Sequence, residues 1–470
     1  MDPFTSATEW AEHIRRREVS PVEVADLYLD RIDQLDDRLG AFVHRADDDV
    51  RSSAKQAADV VARSSADELP PFCGVPLPIK DLTPVAGWPC TYGSGAVPTG
   101  PASVSEPVVD KFVAAGFVLL GKSATPELGT ISFTESATYG ATRNPWDLDH
   151  TPGGSSGGAA AATASGMAPI AHASDGGGSI RIPASCCGLV GLKPSRNRVV
   201  GSANYLEGLA TSGVVSRTVA DTAAALDVVS GPDPYLWYNA PRPDRSFTCQ
   251  ATETPGPLRV RYATSTPLDI PVDPECVAAV EATARVLADA GHDVAEGSLD
   301  IPNADRMVSV FTTLWNTGSA GIPGLDPSKL EPLNALLRQQ GEEVSSIAYV
   351  EAVLAAQMMT RHIVAGLEAS ADVLLMPTMA CLPPTVGAVW EGADDNPLIA
   401  LFNCYPMAVL TSLWNVTGLP AISLPLHQTA GGLPVGVQLV AGPWQDGLLL
   451  QLATQLEQLM PWADRRPPVS

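Results

Sequence analysis

Two clusters of glycine and serine are the residues of this sequence best suited to chemistry. The first is GGSSGG at residues 153–158, and the second is DGGGS at residues 175–179. Successive glycines let backbone N–H groups curl around one point and form a nest for an oxyanion. A serine directly after such a nest can attack a carbonyl group whose oxygen lies in it. Each cluster taken alone is also compatible with an ordinary tight turn.

A nucleophilic serine needs a base, because its hydroxyl does not ionise at neutral pH. A lysine can serve when burial lowers its pKa from the ordinary value of about 10.4, since burial disfavours the ammonium form. Lys80, Lys122 and Lys193 each end an apolar run and are candidates. The residue pattern alone does not choose among them. His172 lies between two alanines, which is more typical of a packed core residue than of a base.

Two further motifs match patterns that belong to other chemistry. Residues 116–123, GFVLLGKS, match the phosphate-loop pattern GxxxxGK[ST]. The apolar residues inside this match favour a buried strand, whose N–H groups are committed to a sheet. Residues 153–157, GGSSG, match the nucleophile elbow GxSxG of α/β-hydrolases, but the segment upstream reads as a loop instead of the required strand. We therefore expect neither a nucleotide site nor an elbow.

The elements that position these residues alternate between short apolar runs and helical patterns. Ser20-Pro21-Val22-Glu23 predicts a helix that begins with a capping box. The predicted strands are 75–79, 117–120, 189–192 and 373–376, and the predicted helices are 50–62, 107–115, 219–229 and 274–290. The alanine- and glycine-rich run 157–173 suits a tightly packed core helix. This alternation indicates an α/β layered fold.

Length and composition bound the class of protein. The 470 residues are 45% hydrophobic and show no repeat, which favours one domain over 1–470 with an N-terminal helical segment at about 1–65 and a surface excursion at about 231–257. A net charge of −23 argues against nucleic acid and anionic lipid as partners. The eight scattered cysteines, the absence of a targeting segment and the absence of a membrane span predict a cytoplasmic protein.

The motifs together resemble the amidase signature family. The resemblance rests on GVPLPIKD at 74–81, on the first cluster, and on DGGGSIRIP at 175–183, with Ser179 following Ser155 by 24 residues. It extends to GKS at 121–123, TRNPW at 142–146, GLKP at 191–194, NVTG at 415–418 and PVGVQ at 434–438. It implies an α/β fold with a large mixed central β-sheet covered by helices on both faces. Within the family, the chain looks most similar to actinobacterial broad amidases and cyclic nylon-dimer hydrolases.

The resemblance also implies a set of catalytic roles. Ser179 would be the nucleophile, Ser155 would relay the proton, and Lys80 would be the base. The peptide bond between Gly154 and Ser155 would be cis. The expected oxyanion hole consists of the N–H groups of Gly176, Gly177, Gly178 and Ser179. Asp175 and Arg181 would hold the loop. The residues expected to bind substrate are Gly129, Ser155 and Trp414, with Trp315 and Cys404 as further candidate walls of the pocket.

Two residues depart from the family pattern. Gly176 stands where relatives often carry Thr, Ile or Ala, which predicts a wider or looser pocket beside the nucleophile. Asn197 stands where the family has glycine, which puts a local turn in question.

The implied function is a serine hydrolase that cleaves primary amides, anilides or short secondary amides through an acyl-enzyme. Carbamate and nylon-oligomer hydrolysis, and the A subunit of a tRNA-dependent amidotransferase, are the alternatives, although the charge of −23 suits a tRNA-linked role poorly. An inactive binding module is the alternative outside the enzymes. We expect a small-molecule amide as partner, no metal and no organic cofactor, and leave a homodimer open.

Overall fold

The computed structural model describes residues 1–201, 205–297, 301, 304–322 and 324–470. In this part of the chain there are fifteen α-helices and thirteen β-strands. The helices are α1 (Ala7–Arg15), α2 (Pro21–Leu39), α3 (Asp47–Arg63), α4 (Pro107–Ala114), α5 (Gly157–Ala164), α6 (Arg181–Cys187), α7 (Val219–Val229), α8 (Phe247–Ala251), α9 (Pro274–Asp289), α10 (Ala304–Ala320), α11 (Pro332–Glu343), α12 (Ser346–Ser370), α13 (Ile399–Ala408), α14 (Ser412–Thr417) and α15 (Asp446–Leu459). The strands are β1 (Phe42–Arg45), β2 (Pro76–Lys80), β3 (Val118–Ser123), β4 (Glu135–Ser136), β5 (Gly140–Ala141), β6 (Ile170–Asp175), β7 (Val190–Lys193), β8 (Thr211–Ser216), β9 (Arg259–Tyr262), β10 (Asp293–Glu296), β11 (Val373–Pro377), β12 (Ala421–Gln428) and β13 (Pro434–Ala441).

The strands of the described chain assemble into one large sheet and two small ones. The large sheet has eight strands in the order β10-β9-β11-β13-β12-β7-β8-β6. It is mixed, because β9 pairs in parallel with β10 and β11 whereas the remaining pairs are antiparallel. A three-stranded sheet has the order β1-β3-β2, and β4 pairs with β5. The predicted α/β fold with a large mixed sheet is confirmed.

Local sequence signals explain most element boundaries. The Ser20 side chain accepts from Val22 N–H, and Glu23 closes the capping box at the start of α2. The phosphate-loop match lies largely in the buried strand β3, as its apolar residues indicate. The run 157–173 differs from the prediction, because α5 ends at Ala164 and β6 begins at Ile170. Gly166 causes the break, since its φ of 73° is left-handed and cannot continue a right-handed helix.

The N-terminal segment and the surface excursion predicted from the sequence can both be compared with the structure. Residues 1–65 contain α1, α2, β1 and α3. Most residues between 231 and 246 are exposed, including Tyr235 and Trp237, and Phe247 is buried at the start of α8. The assignment of the whole chain to one domain stays a prediction. None of the described helices combines the length and the apolar character needed to cross a bilayer.

Helix α5 fixes the first glycine-serine cluster against the small sheet. All of its residues are buried, and it begins directly after Ser155 and Ser156. A Cβ atom at Gly158 would lie 2.3 Å from the Ala124 backbone nitrogen and 2.5 Å from the Ala41 carbonyl oxygen. Both are backbone atoms that cannot rotate away, so only glycine allows this approach. The glycines of the cluster therefore serve packing within the protein as well as access for a ligand.

We expect Gly158→Ala to lower the free energy of unfolding by about 2 kcal/mol or more, because the added methyl group forces the helix away from the strand. Gly256→Ala is the matched control, since nothing lies within 4 Å of a Cβ at that position. Urea unfolding followed by circular dichroism measures both variants. Equal stability of the two variants would show that α5 is not packed as described.

Candidate active site

Lys80 ends β2 with a fully buried side chain. Its Nζ lies 2.8 Å from Ser155 Oγ, 3.1 Å from Ser174 Oγ and 3.3 Å from the Ser174 carbonyl oxygen. Burial lowers the pKa of Lys80 to about 7, although the charge of Asp175 opposes this shift. A lysine with such a pKa is largely neutral just above neutral pH and can accept a proton from Ser155.

The other two candidate lysines contact neither Ser155 nor Ser179 in the described structure. Lys122 Nζ lies 3.1 Å from Asp81 Oδ1 and donates to the Thr83 carbonyl oxygen at 2.8 Å. Lys193 Nζ donates to the Pro194 carbonyl oxygen at 2.8 Å. Burial, aided by the charge of Arg181, lowers the pKa of Lys193 to about 7 as well. Contact with a serine, and not the pKa, therefore distinguishes Lys80.

His172 lies in β6 and contacts the backbone of Lys80 instead of a serine. Its Nδ1 accepts the Lys80 backbone N–H at 3.3 Å, and its Nε2 has no partner among the described residues. Burial, together with the charges of the nearby Lys80 and Lys122, lowers the pKa of His172 to about 3. The imidazole is thus neutral, and its acceptor bridges β6 to β2 at the point where Lys80 is positioned.

Ser155 lies in a tightly packed turn beside Gly129. The Gly154–Ser155 peptide bond is cis. Gly129 has a φ of 70°, and a Cβ there would lie 2.5 Å from Leu82 Cδ1 and 3.3 Å from Ser155 Oγ. A larger residue at position 129 would crowd Ser155. Gly129 therefore leaves Ser155 accessible from the cavity.

An ion pair at the end of β6 holds the second cluster. Asp175 and Arg181 are fully buried and joined by two bonds of 2.9 Å. Asn415 Nδ2 donates to Asp175 Oδ1 at 2.9 Å, and Arg181 Nη1 donates to Gln438 Oε1 at 2.8 Å. Burial alone would raise the pKa of Asp175, but Arg181 and Asn415 hold it below its ordinary value. The loop that carries Ser179 is thereby tied to α14 and β13.

The N–H groups of this loop divide into two sets. Gly178 N–H donates to Asp175 Oδ1 at 2.7 Å, and Ile180 N–H donates to Asp175 Oδ2 at 3.1 Å. In the described part of the chain, the N–H groups of Gly176, Gly177 and Ser179 meet no acceptor. Gly178, one of the expected oxyanion donors, is therefore engaged in holding the loop. The other three N–H groups remain for a bound oxygen.

Two cavities meet at Ser179, which is 8% exposed. The large chamber has a volume of about 460 Å³ and is lined by Gly129, Ser155, Ser174, Gly176 and Ser179, among others. The small chamber has a volume of about 130 Å³ and shares Gly129, Thr130, Ser179 and Trp315 with the large one. The structure thus brings Ser155 and Ser179 to one cavity, and Ser155 also contacts Lys80.

The pocket walls differ in part from the sequence-based expectation. Cys404 and Trp315 line the small chamber as expected. Trp414 lies outside both chambers: it is buried in α14, donates to the Leu410 carbonyl oxygen at 2.9 Å and lines a separate cavity. Phe311, which the sequence did not single out, stacks on Trp315 at 5.2 Å between ring centroids. No motif marks α10, so only its place in the fold reveals this pair.

The two departures from the family pattern have structural counterparts. Asn197 has a φ of 58°, so it keeps the left-handed conformation that glycine favours. Gly176 does not leave an empty space, because a Cβ there would lie 2.9 Å from Trp315 Cζ3. The space beside Gly176 is occupied by the Trp315 indole, so the pocket is not widened there. Among the described residues, no three His, Cys, Asp or Glu side chains are grouped to hold a metal ion.

Comparisons with known proteins identify the family of this chain. The amidase family model matches residues 23–450. The chain is 35% identical over 490 residues to the 6-aminohexanoate-cyclic-dimer hydrolase of Paenarthrobacter ureafaciens, covering 99% of this chain and 97% of that protein. A solved structure of 6-aminohexanoate cyclic dimer hydrolase with substrate matches with a TM-score of 0.92 and 33% identity over 100% of both chains. A bacterial aryl acylamidase of the amidase signature family matches with a TM-score of 0.87 and 27% identity over 98% of this chain and 97% of that chain.

A family match over residues 23–450 and a shared fold lead to the same assignment. The contact of Lys80 with Ser155, beside a cavity that Ser155 and Ser179 both line, is compatible with it. The chain belongs to the amidase signature family and is an amide hydrolase.

Proposed function

We propose that the protein cleaves uncharged carboxylic amides through an acyl-enzyme on Ser179, with Ser155 as proton relay and Lys80 as base. The observation that carries the proposal is the 2.8 Å contact between Lys80 Nζ and Ser155 Oγ beneath a cavity that Ser179 also lines. A buried lysine with a pKa of about 7 supplies the base that two serines otherwise lack.

The proposed reaction has two halves. Ser179 Oγ bonds to the carbonyl carbon while its proton passes to Ser155 and the proton of Ser155 passes to Lys80. The N–H groups of Gly176, Gly177 and Ser179 stabilise the oxyanion. The C–N bond then breaks, and the amine nitrogen takes a proton back from Ser155, which is replenished by Lys80. Water hydrolyses the ester on Ser179, releasing the carboxylic acid and restoring the serine.

The walls of the cavity favour an uncharged substrate over glutamine. The described lining of the two chambers contains no Lys or Arg, and Glu106 is its one carboxylate. The α-carboxylate of glutamine would therefore find no cation, which weakens the amidotransferase alternative. Anilides and secondary amides, including the uncharged cyclic amides of nylon type, meet the requirement, and carbamates stay the second candidate. Release of ammonia from glutamine faster than amine from an anilide would reverse this choice.

We place the enzyme in the cytoplasm, where a small uncharged amide would be its partner. All eight cysteines are free thiols in this structure, which suits a reducing compartment.

The nucleophile assignment predicts one site of covalent labelling. A fluorophosphonate should form an adduct on Ser179, and Ser179→Ala should abolish both the adduct and amide hydrolysis. Peptide mapping by mass spectrometry locates the adduct. Labelling of Ser155, Cys186 or Cys187 would contradict the assignment; both cysteines are buried, which raises their pKa and disfavours the reactive thiolate.

The base assignment predicts a large loss for one lysine and a small loss for its neighbour. Lys80→Met should lower kcat/KM by about a thousandfold, the range of a missing general base. Lys193→Met is the matched control, because Lys193 is also buried and its Nζ, among the described residues, hydrogen-bonds to the Pro194 carbonyl oxygen and not to a serine. Circular dichroism verifies the fold of both. Near-normal turnover in Lys80→Met would remove Lys80 from the mechanism.

The pKa of Lys80 predicts the pH dependence of activity. Burial lowers this pKa to about 7, so the base is neutral above that pH and protonated below it. We therefore expect kcat/KM to rise with pH through about 7 and then level off. Lys193 also has a pKa of about 7, so Lys193→Met must retain the same limb. Loss of this pH dependence in Lys193→Met would assign the titration to Lys193 and contradict the role of Lys80.

A further inference from the structure

Trp315 is the wall between the two chambers. Its indole lines both cavities and stacks on Phe311, one turn earlier in α10. The loop of the nucleophile lies against the same pair, because a Cβ at Gly176 would be 2.9 Å from Trp315 Cζ3 and one at Gly177 would be 3.1 Å from Phe311 Cζ. The aromatic pair therefore packs directly on the backbone that precedes Ser179.

The position of α10 is fixed from the other side. A Cβ at Gly341 in α11 would lie 2.1 Å from the Asn316 carbonyl oxygen, so the two helices are in backbone contact. Asn316 Nδ2 also donates to Gln340 Oε1 at 2.9 Å. Because α10 cannot retreat, the size of residue 315 sets how far the small chamber extends.

The proton relay decides which part of the substrate enters which chamber. The departing nitrogen must take its proton from Ser155, so the amine part lies next to Ser155. Within the described lining, Ser155 belongs to the large chamber of about 460 Å³ and not to the small chamber of about 130 Å³. The acyl part, on the opposite side of the carbonyl carbon, is directed to the small chamber.

The walls of the small chamber specify the chemistry of the acyl part. They include Met307, Phe311, Trp315, Leu401 and Val409, and no charged side chain lies among its described lining residues. A carboxylate or ammonium group would lose its hydration there without gaining a counter-charge. The chamber thus suits an apolar, uncharged group of limited length.

We propose that the substrates combine a short apolar acyl group in the small chamber with a larger amine in the large chamber, and that Trp315 sets the limit of acyl length. This inference rests on the proposed function, since it uses the roles of Ser179 and Ser155. Gly176 contributes to the same limit on acyl length, because a side chain at that position would displace the Trp315 indole.

The test measures kcat/KM on p-nitroanilides from acetyl to decanoyl, and on acetamides whose amine part grows from aniline to fused aromatic amines. Wild type should favour the short acyl groups and tolerate the large amines. Trp315→Ala should move the acyl optimum by several carbons and raise the ratio of decanoyl to acetyl turnover about tenfold or more, the usual effect of removing a steric misfit. The amine series should change little.

Graded and matched variants secure the interpretation. Trp315→Phe should give an acyl profile intermediate between those of wild type and Trp315→Ala. Trp414 lies outside both chambers, so Trp414→Phe should keep the wild-type profile. Gly176→Ala should lower turnover by displacing the indole, and Trp315→Ala added to it should recover part of that loss. A purely structural role for Trp315 would lower turnover of all chain lengths alike and would give no recovery.

Two results separate failure of this inference from failure of the proposed function. Fluorophosphonate labelling of Ser179 together with hydrolysis of any anilide upholds the proposed function. In that case the inference alone is overturned if the acyl profile is unchanged in both Trp315 variants, or if only the amine series shifts. Absence of both labelling and hydrolysis in wild type overturns the proposed function, and the inference with it.

Discussion

A lysine side chain buried between serines, with no carboxylate in contact among the described residues, constrains everything around it. Lys80 meets Ser155 and Ser174, whereas Lys122, equally buried, lies 3.1 Å from Asp81. An ion pair offsets the cost of burying an ammonium group, and without one the neutral amine becomes the stable form. The difference between these two lysines is thus a difference in partners, and it gives only Lys80 the means to accept a proton from a serine.

Among the described residues Lys80 has no ion pair, so hydrogen bonds from its head group to the two serines and contacts of its backbone position it. Lys80 comes from the small sheet, and Ser179 follows β6 at the edge of the large sheet. His172 joins the two by accepting the Lys80 backbone N–H. The buried pair of Asp175 and Arg181 then fixes the loop after β6. Two sheets and two side-chain bridges therefore define one small volume in which proton transfer can occur.

Sequence reasoning succeeded where the relevant information is local. The capping box at Ser20 and the strands β2, β3, β7 and β11 follow from patterns within a few residues. The resemblance to the family implied the triad of Lys80, Ser155 and Ser179, which stays a prediction. Sequence reasoning did not distinguish Trp315 from Trp414, because neither tryptophan is itself part of a quoted motif and only the packing of α10 places one of them at the cavity. It also could not reveal that Gly178 N–H is engaged by Asp175, since that depends on the fold of the loop. The expectation of a looser pocket at Gly176 failed for the same reason: the residue that fills the space is distant in sequence.

The neutrality of Lys80 is the central claim, and it can be observed directly. The chain has six lysines, so ¹³Cε-labelled lysine gives a spectrum in which individual side chains are resolvable. We predict a Cε resonance that titrates near pH 7, disappears in Lys80→Met and persists in Lys193→Met. A Lys80 resonance that keeps the ammonium shift up to about pH 10, the ordinary range of lysine, would contradict the account.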